Sequence, residues 1–198
     1  MFTGIVSDTA TITQIEPNAS GVLITLQLSN SITASLGDSV ALDGACHSIV
    51  SINSNTLSFF SSTETLATTI VQHYKIGQLV NIEQPLQLQQ RLDGHMVSGH
   101  VDCMGEVTIC THTADTMIVG ITIPATFQKY IVYKGSVTVN GASLTINKIE
   151  ENTFWLYLIP ITVAATNLKY LAQGSSVNIE VDMLGKYVES LLKKSNYV

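Results

Sequence analysis

Residues 39–83 laid over residues 136–180 without a gap give 16 identical pairs in 45 positions, where unrelated segments would give roughly three. The matches include Gly44 with Gly141, Asn55-Thr56 with Asn152-Thr153, Thr65 with Thr162, and Val80-Asn81-Ile82-Glu83 with Val177-Asn178-Ile179-Glu180. An earlier stretch repeats as well, MFTGIV at 1–6 with MVSGHV at 96–101. Its offset is 95 rather than 97, so two residues were gained between the segments. A chain of 198 residues built this way holds two similar domains of roughly 90 residues, each able to close a small core.

Each copy reads as short strands. In Val139–Ile146 a strand, an Asn140-Gly141 turn and a second strand follow one another, because Asn and Gly tolerate the positive φ of a tight hairpin. Ser143 and Thr145 then share one face, with Leu144 and Ile146 on the other. Leu42–Ile49 echoes this with Cys46 and Ser48 in those places. Strands are expected at Thr9–Ile15 and Gly21–Leu28 around a Pro17-Asn18 turn, two more within Val40–Phe60, and one at Leu79–Glu83. A short helix opens at Thr63 as N-cap and reaches Tyr74, with a second copy at Thr162–Tyr170. Pro85–Asp93 reads as an exposed connection.

Turn signals every 8 to 12 residues between short strands are the pattern of closed antiparallel barrels. The expected fold is all-β: tandem duplicated Greek-key antiparallel barrels over residues 1–87 and 88–181, with a C-terminal α-helix over 182–198. In that helix Met183, Leu184, Tyr187, Val188, Leu191 and Leu192 recur at helical spacing, with Asp182 as cap and Lys193 and Lys194 at the negative end. Such a stripe either folds back on a barrel or pairs with its copies in an oligomer.

Composition excludes several classes. The chain is 45% hydrophobic and 12% charged, too apolar for disorder. A net charge of −6 with nine scattered basic residues offers nothing to nucleic acid. No apolar run reaches membrane-span length and residues 1–20 lack a signal peptide's pattern, so a soluble cytoplasmic protein is expected. Cys46, Cys103 and Cys110 lack metal or redox spacing and read as free thiols.

These residues are similar to the riboflavin synthase family over essentially the full length. The resemblance rests on the opening MFTGIV, GHMVSGHVD at 94–102, KGSVTVNGASLT at 134–145, NIEVD at 178–182 and the duplication itself. It implies a homotrimer joined through the C-terminal helices, and association with lumazine synthase. The implied reaction moves a four-carbon unit between two molecules of 6,7-dimethyl-8-ribityllumazine, giving riboflavin and 5-amino-6-(ribitylamino)uracil. No cofactor and no metal are implied, since one substrate molecule is donor and the other acceptor. Each barrel would hold one lumazine, and the active site would lie where the first barrel of one subunit meets the second barrel of its neighbour.

By match to the family's motifs, one pocket would use Gly4, Ile5, Val6, Cys46, His47, Ser48, Phe60, Ser61, Ser62, Thr63, Glu64, Thr65, Gly99, His100 and Val101. The other would use Lys134, Ser143, Leu144, Thr145, Tyr157, Leu158, Ile159, Pro160, Ile161 and Thr162. His100, Cys46 and Ser143 are the expected polar participants, with Phe2 as an aromatic lid and Asp182 as an orienting carboxylate. Simpler structural readings exist for some of them: Cys46 also fits a small core residue, Asp182 a helix cap, and His95 a backbone hydrogen bond alone. His47 and Ser48 depart from the leucine and threonine usual in the family, and alternation would turn His47 away from the pocket onto a solvated face. A rival of another class is a binding protein of this fold that holds lumazine or flavin without turnover. A flavin reductase barrel is disfavoured because no G-x-G-x-x-G follows any strand.

Overall fold

The computed structural model describes residues 1–113 and 115–194. β1 (Asp8–Asn18), β2 (Gly21–Leu28), β3 (Ser39–Leu42), β4 (Ala45–Asn53), β5 (Thr56–Ser62) and β6 (Leu79–Glu83) close a barrel in the order β1-β2-β5-β4-β3-β6. β7 (Cys103–His112), β8 (Met117–Thr122), β9 (Ser136–Val139), β10 (Ala142–Glu150), β11 (Thr153–Leu158) and β12 (Ser176–Val181) close a second barrel in the same order. In each, β3-β4-β5 or its copy forms successive hairpins and the last strand returns beside the first of them, a Greek key. The duplication extends to irregularities. Register shifts fall at Ile12/Gln14 and Val107/Ile109, and at Ile49/Ser51 and Ile146/Lys148. The two extra residues lie between β8 and β9, where the second barrel alone carries a 3-10 segment, Ala125–Tyr130, among the described residues.

Both barrels are filled rather than hollow. Ile12, Ile24, Leu26, Leu42, Ile49, Phe59 and Ile82 pack the first, and Met117, Ile121, Ile146, Phe154 and Ile179 the second. Each such side chain contributes roughly 1.5 to 3 kcal/mol when fully buried. A ligand must therefore bind on an outer face.

Several local expectations need correction. Val40–Phe60 contains three strands, because the Asp43-Gly44 turn separates β3 from β4. Pro17 ends inside β1, paired with Val22, and the chain reverses at Ala19-Ser20. Helix α1 (Thr63–Thr68) is capped one residue earlier than expected, by Ser62, whose hydroxyl accepts the Thr65 N–H at 3.2 Å. It stops at Thr69, which is extended, before a 3-10 turn at Ile70–His73. Helix α2 (Pro160–Ala165) starts two residues before Thr162, since proline suits a first helical position that needs no N–H partner. Helix α3 (Met183–Lys194) is capped by Asp182, which accepts the Leu184 N–H at 3.0 Å. Glu189 fastens it to Lys129 and Tyr130 of the second barrel. Leu184, Tyr187, Val188 and Leu191 remain exposed, and the end of the expected helix, 195–198, lies outside the described residues.

The barrels meet through contacts that occur in reciprocal pairs, one from each repeat. Gly44 and Gly141, both at positive φ, press together so tightly that a Cβ on either would lie 2.7 or 2.8 Å from the other's nitrogen. Asn81 donates to the Asn140 carbonyl at 2.8 Å, and its partner Asn178 to the Asp43 carbonyl at 2.9 Å. Their side-chain oxygens accept the N–H groups of Asn167 and Ile70, at 2.7 and 2.8 Å. The symmetry is broken where the first copy has Asp43 and the second Asn140. Asp43 accepts from Tyr74 Oη, the Asn81 N–H and Asn167 Nδ2. Burial outweighs these donors and pushes its carboxyl up to about 7.

The two opening segments also cross over. Phe2 and Val97, partners in the repeat, exchange backbone hydrogen bonds of 2.7 and 3.1 Å. Each segment then runs onto the other copy's barrel: the Gly4 carbonyl accepts the Ser143 N–H at 2.7 Å, and the Gly99 carbonyl accepts the Cys46 N–H at 2.8 Å. A carboxylate of the same repeat anchors each one. Glu83 accepts from the Thr3 N–H and hydroxyl and the Gly4 N–H; Glu180 accepts from the same groups of Ser98 and Gly99.

Asp43→Asn preserves the hydrogen-bond geometry of the turn, as Asn140 demonstrates at the same φ of 44°. A carboxyl raised in the folded state stabilises below its unfolded pKa and loses that contribution as pH rises through about 7. The variant should therefore be more stable than the parent by roughly 1 to 3 kcal/mol at about pH 8 and not at about pH 4, measured by urea denaturation. The crossing makes a second prediction. Gly4 and Gly77 both have positive φ, but a Cβ on Gly4 would lie 2.6 Å from Ser143 Cβ while Gly77 faces open space. Gly77→Ala should cost about 1 kcal/mol from backbone strain, and Gly4→Ala roughly 1 to 3 kcal/mol more.

Candidate active site

Strand alternation places the site on two outer ledges. On β10, Ser143 and Thr145 face outward while Ala142 and Ile146 are buried; on β4, Cys46 and Ser48 face outward between Ala45, His47 and Ile49. The crossing segments complete each ledge. Gly4, Ile5 and Val6 lie along the second barrel, beside Ser143, and Gly99, His100 and Val101 along the first, beside Cys46. The expected grouping of Gly4–Val6 with Cys46 is therefore wrong in its partner: the two repeats exchange their opening segments. Close packing requires glycine, since a Cβ on Gly99 would lie 2.7 Å from Cys46 Cβ. Beyond the ledges stand the ends of β5 and β11 with their helices, carrying Ser62–Thr65 and Ile159–Thr162.

The ledges differ in chemistry. On the second, His95 Nδ1 meets Ser143 Oγ at 2.7 Å and Nε2 lies 3.3 Å from Thr138 Oγ1. With Nε2–H donating to Thr138, Nδ1 accepts the Ser143 proton, the arrangement of a general base and its hydroxyl. Burial lowers the His95 pKa and keeps the imidazole neutral, while the Asp182 carboxylate nearby works in the opposite direction. Asp182 thus caps α3 and faces the histidine at once. The first ledge has the Cys46 thiol in place of Ser143 and an exposed His100 in place of Ile5. Its helix wall is Ser62-Thr63-Glu64, against Ile159-Pro160-Ile161 on the second. The first ledge is the polar one.

Several expected site residues fall elsewhere. His47 is 4% exposed, inside the first barrel rather than on a solvated face, because the residue turned away from an outer ledge enters the core. Ser61 and Leu158 are buried for the same reason, and Leu144 packs half-buried against the second core. Phe2 is fully buried against Ala41 and Val97, so it packs the junction where the two segments pair instead of acting as a lid. Phe60 and Tyr157 face outward. Lys134 is exposed at the turn before β9, at a φ of 62°. The histidine that meets Ser143 is His95, not His100. Its signal in the sequence was its place in GHMVSGHVD directly before the crossing strand. Glu83 and Glu180 were also missed, although both close the repeated Val-Asn-Ile-Glu.

A cleft of about 690 Å³ between the barrels is lined by Ile70, Gln78, Asn167 and Tyr170 and includes no ledge residue. Size does not mark the site in a lone chain, where both ledges lie open.

Comparison with known proteins agrees with this geometry. The sequence matches the Lumazine binding domain family twice, over residues 3–85 and 98–182. It is 39% identical to riboflavin synthase of Photobacterium phosphoreum, over 97% of this chain and 89% of that one. It is 35% identical to riboflavin synthase of Bacillus subtilis, over 99% and 92%. Among solved structures, LumP complexed with 6,7-dimethyl-8-(1'-D-ribityl) lumazine superposes with a TM-score of 0.82 at 22% identity, over 91% of this chain and 99% of that one. The chain belongs to the riboflavin synthase family and is built from two lumazine-binding domains.

Proposed function

We propose that this protein is a riboflavin synthase that binds one 6,7-dimethyl-8-ribityllumazine on each kind of ledge and transfers a four-carbon unit between them. The observation that carries this reading is the unequal pair of ledges made by one duplicated fold, with the hydrogen-bonded Ser143–His95 pair on one and a thiol on the other. Two copies of one molecule contain every atom of both products, so the transfer needs no outside oxidant. Holding the two rings in register supplies on the order of 7 to 11 kcal/mol of the barrier. Proton removal from the acidic 7-methyl group of the donor falls to His95 with Ser143, on the second ledge. The resulting carbanion attacks the acceptor ring on the first ledge, where Cys46 adds to that ring or steers water to it. Hydroxyls and backbone amides of Ser48, Ser62, Thr65, Thr145 and Thr162 bind the ribityl chains and pyrimidine edges.

One chain's ledges lie on different barrels and open to solvent, so the donor and acceptor meet when a first barrel faces the second barrel of another subunit. The exposed apolar stripe of α3, Leu184, Tyr187, Val188 and Leu191, supports assembly into a homotrimer through that helix. Three free thiols fit a reducing cytoplasm, and no described helix is long and apolar enough to cross a membrane.

The purified protein should convert the lumazine to riboflavin, followed by absorbance at longer wavelength; tight binding without product would instead favour a carrier of the LumP kind. Ser143→Ala and His95→Gln should each lower kcat about 10² to 10⁴-fold while changing lumazine affinity less than about threefold, and His100→Gln should act mainly on KM. A loss of affinity alone in both of the first two would remove them from the chemistry. Val188→Glu with Leu191→Glu should convert a trimer to monomers in analytical ultracentrifugation and abolish turnover while lumazine still binds.

A further inference from the structure

The first barrel contains a polar pair that the second lacks. His47 Nδ1 lies 2.8 Å from the Ala45 carbonyl, and Nε2 lies 2.8 Å from Ser61 Oγ. A carbonyl only accepts, so Nδ1 carries the proton and Nε2 accepts the Ser61 hydroxyl. Their repeat partners are Leu144 and Leu158, which can only pack. The imidazole is otherwise in apolar surroundings, edge-on to Phe59 at 6.2 Å between centroids, and no charged group among the described residues pairs with it.

What the pair joins is specific. Ala45 and His47 flank Cys46 on β4, while Ser61 precedes Ser62, the residue that caps α1 and leads into Thr63–Thr65. We propose that His47 is a positioning residue, tying the Cys46 wall of the first ledge to its helix wall only while the imidazole is neutral, so that mild acid loosens the first ledge and not the second. This rests on the reading of the ledges as lumazine sites. On protonation Nε2 becomes a donor, the Ser61 hydroxyl must turn round, and a cation remains in a packed core. Burial lowers the His47 pKa, so the neutral form predominates at pH 7, and as pH falls below the ordinary histidine range proton uptake favours opening of the core around the pair, which releases the link.

The full chain is compared with His47→Leu/Ser61→Leu, which installs the second barrel's own pair. Amide hydrogen exchange at about pH 7.5 and about pH 5.5 is read for residues 45–48 and 61–65, with residues 142–145 and 158–162 as the internal reference. The expected result is a relative loss of protection of about tenfold in the first set at the lower pH, absent from the double variant. Lumazine titrations by fluorescence should show one of two sites weakening over the same range in the parent alone. Should the double variant misfold, His47→Gln, which hydrogen-bonds without titrating, provides the same comparison. Equal protection at both pH values, or equal loss in both barrels, overturns the proposal. If the exchange result holds but no lumazine binds at any pH, the positioning role stands and the functional reading fails.

Discussion

Two backbone hydrogen bonds, from Ser143 N–H to the Gly4 carbonyl and from Cys46 N–H to the Gly99 carbonyl, tie each repeat's opening segment to the other repeat's barrel. That exchange, together with the close approach of Gly44 and Gly141 and the asparagine hydrogen bonds around them, distinguishes this chain from two barrels on a string. Neither bond can form unless glycine lets the chain pass within van der Waals contact of the partner strand. Neither segment stays in place without its buried carboxylate, Glu83 or Glu180, which satisfies N–H groups that would otherwise be orphaned. Burial raises the pKa of both carboxylates, and their donors, all uncharged, offset only part of that desolvation.

Duplication and exchange together support the proposed chemistry. A reaction between two copies of one molecule calls for two similar surfaces, and a repeated fold provides them. The roles of donor and acceptor differ, however, and a perfect repeat would not separate them. In the proposed reaction the difference enters by substitutions on a shared frame: Ser143 against Cys46, Ile5 against His100, Ile159-Pro160-Ile161 against Ser62-Thr63-Glu64.

The same asymmetry runs through the interior. Asp43 against Asn140 places a carboxyl at the barrel interface, and His47 with Ser61 against two leucines places a titratable pair in one core. Both carry ionisation into regions that are otherwise neutral, and their effects on stability oppose each other near neutral pH. The raised carboxyl favours the folded state in acid, and the depressed imidazole favours it in base.

Local physics made much of this chain readable from its letters. A long internal repeat meant two domains, alternation meant strands, Asn-Gly meant a hairpin, and the combination of short strands with frequent turns meant barrels. Each of these depends on neighbours within a few residues or on comparison of one half with the other. Which face of a strand is the site is a different matter. Alternation shows only that Cys46 and His47 point opposite ways; the packed barrel decides that Cys46 is on the ledge and His47 in the core. Likewise no local rule reports that Gly4 lies against Ser143, 139 residues away, or that His95 rather than His100 reaches that hydroxyl. The crossing is set by burial of Phe2 and by carboxylates more than 70 residues from the amides they hold, so it exists only once both barrels have closed.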